Sequence, residues 1–300
     1  MHHLDETTGR AVLATLTSAV TVDGGPTDEQ QRLLDALGRH VFGTAGEPGP
    51  IDPAGTAAAL DGADVEPLVA EMLVALELMR HPASAELTAR VATYLDALGG
   101  ADEQAIARDY VADAREQVIA DWSRLQEPLL LEPDLVDADE RDVLARLQAL
   151  ADCPPGSLGR SWHDFYDRNG FALPLHQLTL VEHDFTHVLG GYEATPEGEL
   201  ALQVMLVAAT DGRRHVSSLL ASLLLFEVGM LPFPDIEPKV AVLARPGAAE
   251  FFADAIARGL ATRTDFHDLD HLALADRDLV ELRAELGIPA PVPGPWTFVV

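Results

Sequence analysis

One run of residues restricts the fold of this chain more than any other: HDFTHVLGGYEATPEGEL, residues 183 to 200. His183 and His187 are four residues apart, so on a helix they project from one face about one turn from each other. The apolar residues around them (Leu178, Leu180, Val181, Phe185, Val188, Leu189) predict that helix. Gly190-Gly191 supplies its stop. Thr195-Pro196-Glu197 opens a second helix, with Thr195 as N-cap and Pro196 in the first turn. Glu199 then lies one short connection from His187. The result is a helical hairpin that brings two imidazoles to a carboxylate. Polar groups left without partners on an apolar helix are costly, so the pattern calls for a common ligand, and a metal ion satisfies it.

Two histidines and a carboxylate with open positions suit catalytic zinc and equally suit the facial triad of non-haem iron. Asp184 follows the first histidine, where a zinc peptidase of the HExxH type needs a longer glutamate as base, so peptide hydrolysis is disfavoured. Asp184 is read instead as a fourth ligand or as the group that orients a histidine ring. The candidate ligands are therefore His183, Asp184, His187 and Glu199, with Asp184 and Glu199 as candidate catalytic carboxylates. The spelling recurs at His267-Asp268-Leu269-Asp270-His271. There the residue twelve beyond the second histidine is Arg283 rather than an acid, and no helix stop and restart follows. That segment is expected to be a solvated helix start.

The pattern H-D-x-x-H, eleven residues, then Glu, resembles the signature of the coenzyme-Q biosynthesis protein 4 family. Pro154-Pro155-Gly156-Ser157-Leu158-Gly159-Arg160, followed by Trp162, Phe165, Tyr166 and Asn169-Gly170, is similar to that family's proline-glycine turn and the helix after it. Leu279 to Ile288 resembles its closing helix, so the likeness spans about residues 125 to 295. The resemblance implies a helical domain holding a divalent metal, usually zinc, beside an apolar cavity for a prenylated aromatic acid. It further implies removal of the ring carboxylate with hydroxylation of that carbon, within a biosynthetic complex at a membrane. Arg160, Trp162 and Tyr166 are the candidates for the substrate mouth, with core or surface packing the alternative for each.

Elsewhere amphipathic helices abound and strand patterns are scarce. Helices are expected over 11–22, from Thr27 (a capping-box spelling), and over 64–80, 84–98, 102–125 and 137–150. Residues 43–56 and the prolines at 128 and 133 read as connections. Residues 9 to 42, with Val22-Asp23-Gly24 and Thr27-Asp28-Glu29, faintly resemble TerB-like helical domains of tellurite resistance. That likeness implies acids that meet a metal or a partner; Asp-Gly is also good turn chemistry. The helices after Glu199, rich in leucine around 200–207 and 219–226, are apolar on nearly all sides and are expected to be buried.

An apolar content of 48% is ample for a buried core. The net charge of −29, with Lys239 the one lysine, argues against nucleic acid and against more than peripheral contact with an anionic membrane. The arginine bias suggests a GC-rich bacterial source. Cys153 is the one cysteine and excludes an intrachain disulfide. With no signal peptide or spanning segment visible, a cytoplasmic protein is expected.

The expectation is an all-α protein of two helical domains, 1–125 and 126–300. The second would be a metal-dependent enzyme on a small apolar, carboxylated substrate, working as a homo-oligomer with biosynthetic partners. The alternative is a lipid-binding or scaffold module in which the metal only staples two helices.

Overall fold

A computed structural model describes residues 4–43, 48–61, 65–82, 84–99, 116–120, 139–175, 179–210, 215–230, 236–262 and 264–299. The fold is all-α: among these residues there is no strand, only three isolated bridges. The N-terminal helices are α1 (Glu6–Val20), α2 (Asp28–His40), α3 (Pro53–Leu60), α4 (Glu66–Leu78) and α5 (Ala85–Leu98). They are followed by α6 (Glu140–Ala149), α7 (Leu158–Asn169), α8 (Thr179–Gly190), α9 (Pro196–Ala209), α10 (Val216–Phe226), α11 (Ala248–Ala261) and α12 (Leu279–Leu286).

Local signals set most of these boundaries. Thr27 and Gln30 form the capping box of α2. Asp5 accepts from the Thr7 and Thr8 amides and starts α1 five residues earlier than the apolar pattern alone indicates. Gly99 and Gly170 close α5 and α7 in the left-handed conformation. Of the acids of the 23–29 segment, Asp23 lies in the turn and Asp28 and Glu29 in the first turn of α2. Asp23 sits in the turn at φ 50°, and its carboxylate meets the Ser84 hydroxyl and Arg80. The expected domain boundary at 125/126 and most of the expected 102–125 helix lie outside the described residues, except for a helical stretch at 116–120.

The hydrophobic core is continuous from α1 to the C-terminal segment. α11 packs against both α9 and α2, and α10 packs against α4. The α9–α11 contact is close enough to need Gly259, where a Cβ would stand 2.4 Å from the Met205 carbonyl oxygen. The leucine-rich faces of α9 and α10 are buried in this core, as their all-round apolarity requires. No helix among the described residues is long and apolar enough to cross a membrane.

Candidate metal centre

The centre is built on the α8–α9 hairpin. Gly191 (φ 76°) makes the turn after α8, and a Cβ there would meet Pro291 at 2.6 Å. The chain after α12 returns to hold this turn: the Phe298 amide donates to the Gly191 carbonyl, and the Glu193 amide to that of Trp296. Thr195 caps α9 through the Gly198 amide. Gly198 must lack a side chain, because a Cβ would lie 2.1 Å from the Glu193 carbonyl oxygen. Two buried arginines grip the terminal carbonyls of α8, which have no partner within the helix. Arg283 donates to Leu189 and Val188 at 2.9 and 2.6 Å, and Arg258 to Gly190 at 2.7 Å. Cations at that end also complement the helix dipole. Burial, with the Arg258 charge beside it, pushes Arg283 down to about 10.

His183, His187 and Glu199 offer ligand atoms that all lie within 4.8 Å of one another and form a group able to hold a metal ion. His183 Nε2 stands 3.3 Å from Glu199 Oε1, and His187 Nε2 stands 2.9 Å from Oε2. Ligands held 2.0–2.2 Å from a tetrahedral ion are roughly 3.3–3.6 Å apart, so the His183 contact already has that separation and the His187 contact needs only a small opening. In the neutral form both rings are set in one tautomer. His187 Nδ1 faces the Tyr192 carbonyl at 3.2 Å, which can only accept, so Nδ1 carries the proton and Nε2 the lone pair. His183 Nδ1 faces Asp184 Oδ1 at 3.2 Å to the same effect. Phe165 stacks on His187 with ring centroids 5.6 Å apart and fixes its plane.

Asp184 is not one of the clustered ligands. One carboxylate oxygen takes His183 Nδ1 and the other accepts the Tyr166 hydroxyl. Of the two roles expected for it, the geometry matches ring orientation, the usual partner of a metal-binding histidine. Tyr166 is nearly buried and stacks on Trp162 at 3.9 Å. Burial, and then the Asp184 charge, raise its phenol far above the ordinary range, so it stays a donor.

The substrate-mouth candidates are thereby corrected. Trp162 is wholly buried between Tyr166 and Phe185, because the apolar face of α7 turns inward. Arg160 pairs with Asp164 at 2.8 Å and the Ala151 carbonyl at 3.1 Å, neither of them a residue of the centre. Tyr166 reaches the centre only through Asp184.

Gln203 is the site residue that sequence reasoning missed. One turn after Glu199, its amide donates to Glu199 Oε1 at 2.9 Å and lies 3.5 Å from His183 Nε2. Its signal was legible: a lone amide four residues from a site carboxylate, in a helix otherwise apolar.

Without a metal ion the electrostatics are those of a buried ion pair. Burial opposes charge on His183, but the Glu199 charge and the hydrogen bonds to Asp184 and Glu199 outweigh it and hold the imidazolium well above its usual range. Glu199 suffers the same burial and is held well below the carboxylate range by the two histidines. A metal ion and the His183 proton therefore compete for one lone pair.

The 267–271 segment is not a solvated helix start. It forms irregular turns, and His271 is fully buried, stacked flat on Phe185 at 5.2 Å with Nε2 on the Phe266 carbonyl at 2.9 Å. The reason is tertiary: the aromatic face of α8 needs a flat partner. A surface cleft of about 360 Å³ lies between Arg146, Cys153, Leu272 and Asp276, and none of the four candidate site residues lines it.

No family model matches this chain, and no curated protein is significantly similar to it.

Proposed function

We propose that the protein is a metal-dependent enzyme acting on an apolar, oxygen-bearing substrate. The observation that carries this reading is the ligand count. Structural zinc sites are normally closed by four protein ligands, whereas this cluster has three. The cluster is also reachable: the His183 and Glu199 side chains keep 30% and 21% of their accessibility, while His187 keeps 2%.

The surroundings suit a substrate with a hydrocarbon part. Phe171 is 45% exposed and packs edge-on against Tyr166, the partner of Asp184. Leu180, also exposed, lies one turn before Asp184 on α8. An apolar body resting on these two side chains would direct a carboxylate or phenolic oxygen toward His183 and Glu199. A bound ion would supply Lewis-acid polarisation of that oxygen, and a redox ion such as iron would add electron exchange. The protein's own groups hold the geometry. Asp184 and Tyr166 keep the His183 ring oriented, the Tyr192 carbonyl keeps His187 in its tautomer, and Gln203 holds Glu199.

The resemblance to the coenzyme-Q biosynthesis protein 4 family narrows the reading to a prenylated hydroxybenzoate and to replacement of its carboxyl group by hydroxyl. With dioxygen and a two-electron donor that exchange balances as release of carbon dioxide and water. Zinc cannot take part in the electron transfer and iron can, so this reaction favours iron. The test incubates metal-loaded protein with such an acid, with a two-electron reductant, in air and without oxygen, followed by mass spectrometry. Loss of carbon dioxide with gain of one oxygen, abolished in Glu199→Ala, is the expected result. Tight binding without turnover under every metal and reductant tried would turn the reading to a lipid carrier.

A further inference from the structure

A second set of imidazoles and carboxylates gathers beside α8, which contributes Glu182, about 100° round the helix axis from His183. Glu182, the residue before His183, places Oε2 at 3.1 Å from His267 Nε2. His215, at the start of α10, places Nε2 at 3.3 Å from Asp265 Oδ2. The two rings stand 4.9 Å apart at 64°. In the first centre the His183 and His187 rings are also 4.9 Å apart, at 72°. The ring spacing of the two clusters is thus nearly the same, although among the described residues only the first brings three ligand atoms within 4.8 Å of one another. They differ in that Glu199 serves both rings, whereas Glu182 and Asp265 serve one each.

The second cluster is also left unsatisfied. Glu182 is 4% exposed, and its Oε1 has no hydrogen-bond partner. His267 Nδ1 is buried without one as well. Interiors seldom tolerate a spare carboxylate oxygen, because its desolvation is uncompensated. A cation placed between the two pairs gives that oxygen a partner.

We propose that Glu182, His215, Asp265 and His267 form a second site, for a divalent transition-metal ion of the zinc type. Two imidazole nitrogens and two carboxylates are a suitable donor set for such an ion. The donors are paired off rather than gathered on one point, so the ion draws the two pairs together as it binds. It would then tie the start of α10 and the 265–267 turn to the helix that carries the first centre. This inference does not rest on the proposed enzymatic activity.

The test is metal stoichiometry. The full-length protein is stripped with chelator, dialysed against buffered Zn²⁺ or Co²⁺, and measured by elemental analysis, with circular dichroism to verify folding. The expected counts are two ions in the wild type, one in His187→Ala, one in His267→Ala and none in the double variant. A wild type with one ion, lost in His187→Ala and kept in His267→Ala, overturns the second site and leaves the first intact. A single ion lost in His267→Ala and kept in His187→Ala supports this site and removes the basis of the proposed function. Should His267→Ala fail to fold, Asp265→Asn decides: one ion fewer than wild type supports the site, and an unchanged count overturns it.

Discussion

Residues 183–187 and 267–271 share the spelling H-D-x-x-H, yet they do opposite things. In α8 the helix turns a spacing of four into convergence, and His183 and His187 both point Nε2 at Glu199. In the irregular 267–271 segment the same spacing diverges. His267 reaches Glu182 while His271 is buried against Phe185. Even the residues twelve positions on differ in what they do, since Glu199 meets the first pair and Arg283 caps the carbonyls of α8. A motif is therefore only as specific as the backbone beneath it.

The contrast should be greatest in metal retention. His187→Ala is expected to weaken binding at the first centre about 100-fold or more, since one of three ligands is gone. His271→Ala should leave metal content unchanged yet cost about 2–4 kcal/mol by opening a cavity under Phe185. Equal metal loss in the two variants, by elemental analysis, would erase the distinction. Arg283 offers the next test. Arg283→Met should cost about 2–3 kcal/mol in denaturant unfolding, because the Val188 and Leu189 carbonyls lose a charged donor. Arg283→Glu restores the acid at the first motif's spacing, and no metal site at His271 should appear.

Glu77 shows what a buried carboxylate does without two imidazoles. The Thr88 hydroxyl donates to it, and burial pushes it up to about 7 from an ordinary 4.5. The folded chain binds this proton more tightly than the unfolded chain. Stability from Glu77 is thus full below about pH 4.5 and lost as pH rises toward and through 7, by about 3 kcal/mol. Glu77→Gln should flatten that slope in urea titrations across the window; an unchanged slope would place the titration elsewhere. The smallest effects concern the aspartates within the motifs. Asp184→Asn should lower metal affinity roughly tenfold by weakening its hold on His183. Asp268→Asn should leave first-centre affinity within experimental error. Competition with a chromophoric chelator measures both.

The α8–α9 hairpin is legible in the sequence because its signals are local. An apolar stripe, the Gly190-Gly191 stop, and the Thr195 cap with Pro196 behind it all act within a turn or two of chain. The identities of His183, His187 and Glu199 follow from the same periodicity. Gln203, one turn beyond Glu199, follows the same i,i+4 rule. For Arg160 and Trp162 packing and substrate contact are equally open from α7 alone, because nothing in that helix says which neighbour its buried face will meet.

The amino-acid sequence by itself determined an all-helical chain and a hairpin that carries two imidazoles to a carboxylate, since capping, glycine stops and i,i+4 spacing are short-range physics. Tertiary structure alone decided the rest. It set the Tyr166 hydroxyl on Asp184, buried His271 under Phe185, turned Arg283 onto the end of α8, and brought Glu182 to His267. These contacts join residues from separate helices and connections, and each side chain had several chemically acceptable partners. Only the packing of α7, α8, α9 and the C-terminal segment around one core selects among them, because burial makes a mismatched polar group too costly to keep.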